Sequence, residues 1–339
     1  MEHSNIEWTD HTFNPWTGCT KVSPACDHCY AERWAKRAGR GAWGPGETRL
    51  RTSEKNWRDP VRWNEQAARL GVRYRMFCAS LADVFDNAVP EQWRIDLMKL
   101  ICETPHLDWL LLTKRIGNAA AMLESAFRAV HHQREGWADN VLPNVWIGAT
   151  ICNQEEADRD IPKLLATPAR VRFLSMEPLL GPVDLRRIPM AETCASECCG
   201  ERRLDVLKGA SYCGQCERDP RDENDENDSR VDWVIVGGES GPHARPMHPE
   251  WVRALRDQCA AVGAPFLFKQ HGEWLATEFC DDDMAMIPSK KTVYVRQDGS
   301  FHDGSNGVDF FGGDQETAWV GKKAAGRVLD GRTWDGLPT

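Results

Sequence analysis

The chain has 339 residues, enough for one large α/β barrel or for two domains. Hydrophobic residues make up 41% and charged residues 27%, a globular composition, and no apolar run reaches the ~20 residues of a membrane span. Lys and Arg number 42 against 51 Asp and Glu, a net charge of −9, which argues against a protein that coats nucleic acid indiscriminately. The start, MEHSNIEWTD, has neither the basic residues nor the apolar stretch of a signal peptide, so a cytoplasmic protein with no membrane partner is expected.

Residues 32–75 depart from the overall acidity. They hold twelve Lys and Arg against five acids, interleaved with Trp34, Trp43, Trp57 and Trp63. Such a stretch reads either as a helical surface over core tryptophans or as a place where bases stack beside phosphates.

Six short apolar runs then follow: Tyr74–Ser80, Leu107–Thr113, Val145–Thr150, Val171–Met176, Val231–Gly237 and Pro265–Lys269. Each is nearly continuous in apolar character, the pattern of strands buried on both faces of a parallel sheet. Helical stretches lie between them at Glu91–Glu103, Gly117–His132, Gln154–Leu165 and Pro249–Val262. The alternation predicts an α/β protein with a partial or full parallel (β/α) barrel, and an open doubly wound sheet as the alternative. Residues 1–183 and 231–274 would form this domain. Residues 184–230 read as a Cys-rich insert ending in a solvated acidic run at 217–228, and residues 275–339 as an irregular C-terminal extension.

The chain has thirteen cysteines. In a reducing compartment, cysteines at short spacings point to metal rather than to disulfides. Cys19, Cys26 and Cys29 lie in the pattern C-x6-C-x2-C just before a helix-forming run. Three thiolates there can hold three irons of a [4Fe–4S] cluster, leaving the fourth open to an amine and carboxylate such as those of S-adenosylmethionine (SAM). With His28 or His11 as a fourth ligand, the same residues would make a zinc site. A second group, Cys194, Cys198, Cys199, Cys213 and Cys216, gives two pairs about a dozen residues apart. It reads as a zinc knuckle on Cys194, Cys198, Cys213 and Cys216, with either Cys198 or Cys199 spare, or as an auxiliary iron–sulfur cluster. Cys78, Cys102, Cys152, Cys259 and Cys280 read as small buried hydrophobes.

Reactive groups of parallel barrels lie at the carboxyl ends of strands. Those positions hold Ser80 and Asp83; Lys114 and Arg115; Thr150 and Asn153; Glu177; Gly237, Gly238, Glu239 and Ser240; and Lys269 and Gln270. Glycines let a ligand approach backbone closely, carboxylates bind ammonium or ribose hydroxyls, and Lys114 or Arg115 suits a carboxylate or phosphate. Lys114, Glu177, Glu239 and Lys269 are the candidates for catalysis. Tyr30, Ser80, Asp83, Lys114, Thr150, Asn153, Glu177, Gly237, Gly238 and Glu239 are the candidates for cofactor binding.

The segment IEWTDHTFNPWTGCTKVSPACDHCYAE resembles the opening of a phage- and prophage-borne family of unknown function known for its three-cysteine motif. The resemblance continues through SLADVF, LLTKR, NVWIGAT, RFLSMEPLLGP, DWVIVGGESGPHARPMHPEWVRALRDQC, PFLFKQHGEW and VGKKAAGRVLDG. It implies a radical-SAM-like protein whose cluster sits on Cys19, Cys26 and Cys29, with SAM bound at the strand ends, a separately encoded partner protein and an electron donor such as flavodoxin. One departure stands out. The usual radical-SAM spacing is C-x3-C-x2-C with an aromatic residue before the last Cys, whereas here the first gap is six residues, His28 precedes Cys29 and Tyr30 follows it.

The expected activity is generation of a 5′-deoxyadenosyl radical from SAM and modification of a nucleobase, nucleotide or nucleic acid. The alternative is a metal-stabilised module that binds nucleic acid or a partner without radical chemistry.

Overall fold

A computed structural model describes residues 4, 6–39, 43–131, 136–189, 202–213, 230–279, 291–305 and 307–338. The chain divides into two compact units, Met1–Thr150 with Lys163–Phe173, and Ile151–Pro162 with Leu174–Thr339.

The first unit is built on β1 (His11–Thr12), β2 (Tyr74–Cys78), β3 (Leu107–Thr113) and β4 (Val145–Thr150). Neighbours pair in parallel, with His11 opposite Met76, Tyr74 opposite Leu107 and Trp109 opposite Val145. β4 is buried at every residue and β3 at all but one, so both faces must be apolar, and this makes their sequence runs continuous rather than alternating. Four helices accompany the strands: α1 (Tyr30–Arg37), α2 (Glu54–Leu70), α3 (Glu91–Glu103) and α4 (Ile116–His131). Ser53 caps α2 by accepting from the Asn56 N–H, and Gly71, at φ 65°, ends it in the left-handed conformation that glycine adopts without strain. α2 buries Trp63 and Ala67, and Trp63 stacks flat on His11 at 4.4 Å. Edge-to-face contacts of Phe13 with Trp57 and Trp109 extend this core. Of the four tryptophans of residues 32–75, Trp63 is core, Trp43 and Trp57 are half-buried and Trp34 is exposed.

The second unit carries β6 (Trp233–Gly237) and β7 (Phe266–Gln270), again parallel, and α6 (Pro249–Val262). α6 starts on His248, whose Nδ1 accepts from the Glu250 N–H, has Pro249 in its first turn, and stops at Gly263 with φ 71°. The strand β5 (Val171–Met176) and the helix α5 (Gln154–Leu165) are each shared between the units' residue ranges. The seven strands form one sheet in the order β1-β2-β3-β4-β5-β6-β7. Each strand neighbours the next in sequence. The doubly wound alternative is excluded, because its order reverses at a switch point.

Residues 275–339 are less irregular than expected. Trp274–Ala276, Gln315–Trp319, Thr292–Val295 and Phe301–His302 form a four-stranded antiparallel sheet in that order. Trp274 pairs with Trp319, and the two rings meet edge to face at 5.1 Å. Ile188–Pro189, Arg202–Asp205 and Ala210–Cys213 make a small antiparallel sheet. The knuckle cysteines Cys194, Cys198, Cys199 and Cys216, and the acidic run 217–228, lie outside the described residues; Cys213 closes the last of these strands. No helix among the described residues is long and apolar enough to cross a membrane.

Candidate functional site

In the first unit the cysteine loop is tied to the segment leaving β2. The Gly18 N–H donates to the Leu81 carbonyl at 3.1 Å. Asn14 accepts from the Leu81 N–H at 2.7 Å and donates to the Ser80 hydroxyl at 3.0 Å. Beyond Cys19, Ser23 caps the single 3-10 turn Pro24–Cys26, and the Cys29 N–H donates to the Cys26 carbonyl at 3.3 Å. Cys29 is the residue from which α1 departs, and Tyr30, the first residue of α1, sends its hydroxyl to the Ser80 carbonyl at 2.8 Å. Cys26 is buried and Cys19 and Cys29 are half-buried, all three as free thiols.

Arg115, just past β3, reaches back 96 positions to this loop. Its Nη1 donates to Cys19 Sγ at 3.3 Å and its Nη2 to the Thr20 carbonyl at 2.7 Å. Asp83 holds it in place. Asp83 Oδ2 accepts from Arg115 Nη1 at 3.3 Å and from the Lys114 N–H at 3.0 Å; Oδ1 accepts from the Thr113 hydroxyl at 2.7 Å and the Phe85 N–H at 3.0 Å. Asp83 is therefore committed to positioning its neighbours. A second buried pair, Arg49 and Asp86 at 2.9 Å, fastens the same loop, because Arg49 Nη2 also donates to the Thr20 hydroxyl at 2.6 Å. Burial pushes the Cys19 thiol up to about 11, with Arg115 pulling the other way and Asp83 adding to the rise. Lys114 Nζ donates to the Thr150 hydroxyl at 3.4 Å, joining the ends of β3 and β4.

Three thiols from one loop, one of them already receiving an N–H, are the soft donors that an iron–sulfur cluster takes, one cysteine per iron. Among the described residues, no three His, Cys, Asp or Glu side chains stand together as a ready-made site for a metal ion. The fit of the loop to a cluster rests on its donor chemistry.

The second unit brings together a different set. Glu177, just past β5, accepts from Lys269 Nζ at 2.7 Å and from Gln270 Nε2 at 2.6 Å. A Cβ on Gly237 would stand 3.3 Å from Glu177 Cδ, so the glycine leaves the carboxylate its place. Gln270 is buried, and its Oε1 has no hydrogen-bond partner among the described residues. Glu239 is occupied by Arg245: Oε2 takes the Arg245 N–H and Nε at 2.7 and 2.8 Å, and Oε1 takes Nη2 at 2.7 Å. Asn153 caps α5 by accepting from the Glu156 N–H at 3.0 Å. The Gly238 N–H donates to the Gln270 carbonyl at 2.9 Å.

Sequence reasoning singled out Arg115 as a partner for a ligand's anion. Its contact with Cys19, and the supporting roles of Arg49, Asp86 and Arg245, went unseen. The charged residues within a few positions of the strand ends were the available signal, but their partners lie tens of residues away.

These features define a parallel α/β protein with a thiol-bearing loop tied to the segments that leave β2 and β3. The chain belongs to the family described as protein of unknown function DUF5131, whose model matches residues 3–338. No curated protein and no solved structure matches it significantly.

Proposed function

We propose that this protein is an iron–sulfur enzyme of the radical-SAM type that modifies a nucleobase or nucleotide, free or within nucleic acid. The observation that carries the reading is the Cys19, Cys26 and Cys29 loop, pinned to the strand ends by Asn14, Arg49 and Arg115. Cys19, Cys26 and Cys29 would hold a [4Fe–4S] cluster. When bound, it would supply one electron that splits SAM into methionine and a 5′-deoxyadenosyl radical, which takes a hydrogen atom from the substrate. Lys114, steadied by Thr150, offers its ammonium to the carboxylate of SAM or to a substrate phosphate. In the second unit, Glu177 with Lys269 and Gln270 is the candidate to bind an ammonium or a hydroxyl. A nucleotide is favoured by the basic stretch at 32–75, where Trp34 is 40% exposed on α1 beside Lys36 and Arg37. A structural zinc on Cys194, Cys198, Cys213 and Cys216 completes the proposal.

The test is metal and sulfide analysis of anaerobically purified protein, with its visible spectrum, repeated on Cys26→Ala. About four irons and four sulfides per chain, lost in the variant, are expected. SAM and a reductant should then yield 5′-deoxyadenosine. A colourless protein holding only zinc would overturn the proposal in favour of a binding module.

A further inference from the structure

We infer that Arg115 is a positioning residue that tunes the electron-accepting site, by donating an N–H to the Cys19 sulfur and so raising the potential at which the cluster is reduced. This rests on the iron–sulfur reading above and goes beyond it, because it assigns a redox role to a residue that is not a ligand.

The geometry is specific. Arg115 Nη1 stands 3.3 Å from Cys19 Sγ, and the other arm of the fork is anchored on the Thr20 carbonyl. The residue is held from behind as well: its own N–H donates to the Thr113 hydroxyl at 2.8 Å, and that hydroxyl donates to Asp83. Asp83 in turn receives Arg115 Nη1. The Arg115 and Asp83 side chains are only 9% and 7% exposed, so the donor is preorganised and little screened by water.

Charge alone does not account for the arrangement. Arg49 and Arg115 face Asp83 and Asp86, two cations against two anions. What the site offers Cys19 is an aimed hydrogen bond rather than surplus positive charge. Hydrogen bonds to the sulfurs are among the factors that set cluster potentials. An N–H pointed at the sulfur favours the reduced form, which carries one more electron. The electron enters from a low-potential donor such as flavodoxin, or dithionite in the test, and no bond forms or breaks.

The experiment compares the wild-type protein with Arg115→Lys and with the charge-neutral double variant Arg115→Met/Asp83→Asn. The double variant avoids leaving a buried carboxylate unpaired. Iron and sulfide content are measured together with the cluster's midpoint potential, by dithionite titration with mediators. Equal iron is expected in all three. The double variant should show about a tenfold smaller reduced-to-oxidised ratio at a fixed potential, ~59 mV for a one-electron couple, and Arg115→Lys a smaller shift in the same direction. Unchanged midpoints with full iron would overturn the inference and leave the iron–sulfur reading standing. Loss of iron from both variants alone would also overturn it, making Arg115 a support of the loop. An iron-free wild-type protein would overturn both.

Discussion

A Cβ on Gly238 would stand 1.9 Å from the carbonyl oxygen of His271, so two backbone segments touch where the chain leaves β6 and β7. The contact is mutual, since a Cβ on Gly272 would stand 2.2 Å from the Glu239 carbonyl oxygen. Neither neighbour is a flexible side chain that could swing aside. Gly238→Ala is expected to cost about 1–3 kcal/mol or more, as forced overpacking does. Gly263→Ala meets no atom within 4 Å but requires a side chain at φ 71°, and should cost about 1–2 kcal/mol. Urea denaturation of both variants checks the order; a neutral Gly238→Ala would refute the close approach.

Glu177 is the hub of the second unit's polar group, and its two donors come from adjacent residues of β7. The Lys269 and Glu177 side chains are 15% and 18% exposed, so the pair is partly desolvated. Lys269→Met and Glu177→Gln should each lower stability by about 1–3 kcal/mol, because each strands a partner. The double variant should lose less than the sum, with a coupling of about 0.5–3 kcal/mol. Strictly additive losses would mean that the ion pair contributes nothing.

Two histidines of the second unit set an acid limit. Burial holds both His248 and His271 below the ordinary imidazole value. The Gly313 carbonyl, Glu250 and Glu278 oppose the shift at His248, Arg253 adds to it, and the Val328 carbonyl and Asp330 oppose it at His271. The neutral ring is what the structure uses at His248: Nδ1 accepts the Glu250 N–H, and Nε2 donates to the Gly313 carbonyl at 3.3 Å. With the folded values depressed, the unfolded chain takes up protons first as the pH drops. The contribution is thus complete above the ordinary imidazole value of about 6.5 and is lost as the pH falls from there through the depressed folded values. His248→Asn keeps a capping oxygen and removes the titration. Its stability should depend less on pH between 7 and 5 than the wild type's, and an identical slope would count against the assignment.

The remaining described thiols divide by burial. Cys78, Cys152 and Cys259 are fully enclosed, and burial pushes Cys259 up to about 12 and Cys78 higher still. Iodoacetamide at pH 8 should leave these three unmodified in the native protein and alkylate them in urea, since only the exposed thiolate reacts. Peptide mapping by mass spectrometry reads the outcome. Native labelling of Cys259 would contradict its place in α6.

Most of the parallel framework is legible in local residue patterns. β3, β4 and β5, and the helices α3, α5 and α6, fall on the predicted residues because burial on two faces, or on one helical face, is written into local apolar spacing. The sequence also singled out the cysteine loop and the charged strand ends, since those are single-position signals. Other features arise from contacts between segments far apart in the chain. β1 is two residues long and exists only because His11 and Thr12 pair with Met76 and Phe77. The C-terminal sheet needs Trp274 to find Trp319 across 45 positions of glycine- and aspartate-rich chain. The use of each polar residue was decided in the same way: Asp83 went to Arg115, Asn153 to a helix cap, Glu239 to Arg245 and Arg115 to Cys19. Hydrogen bonds and ion pairs act over about 3 Å in space whatever the separation in sequence, so their partners emerge only once the chain has folded.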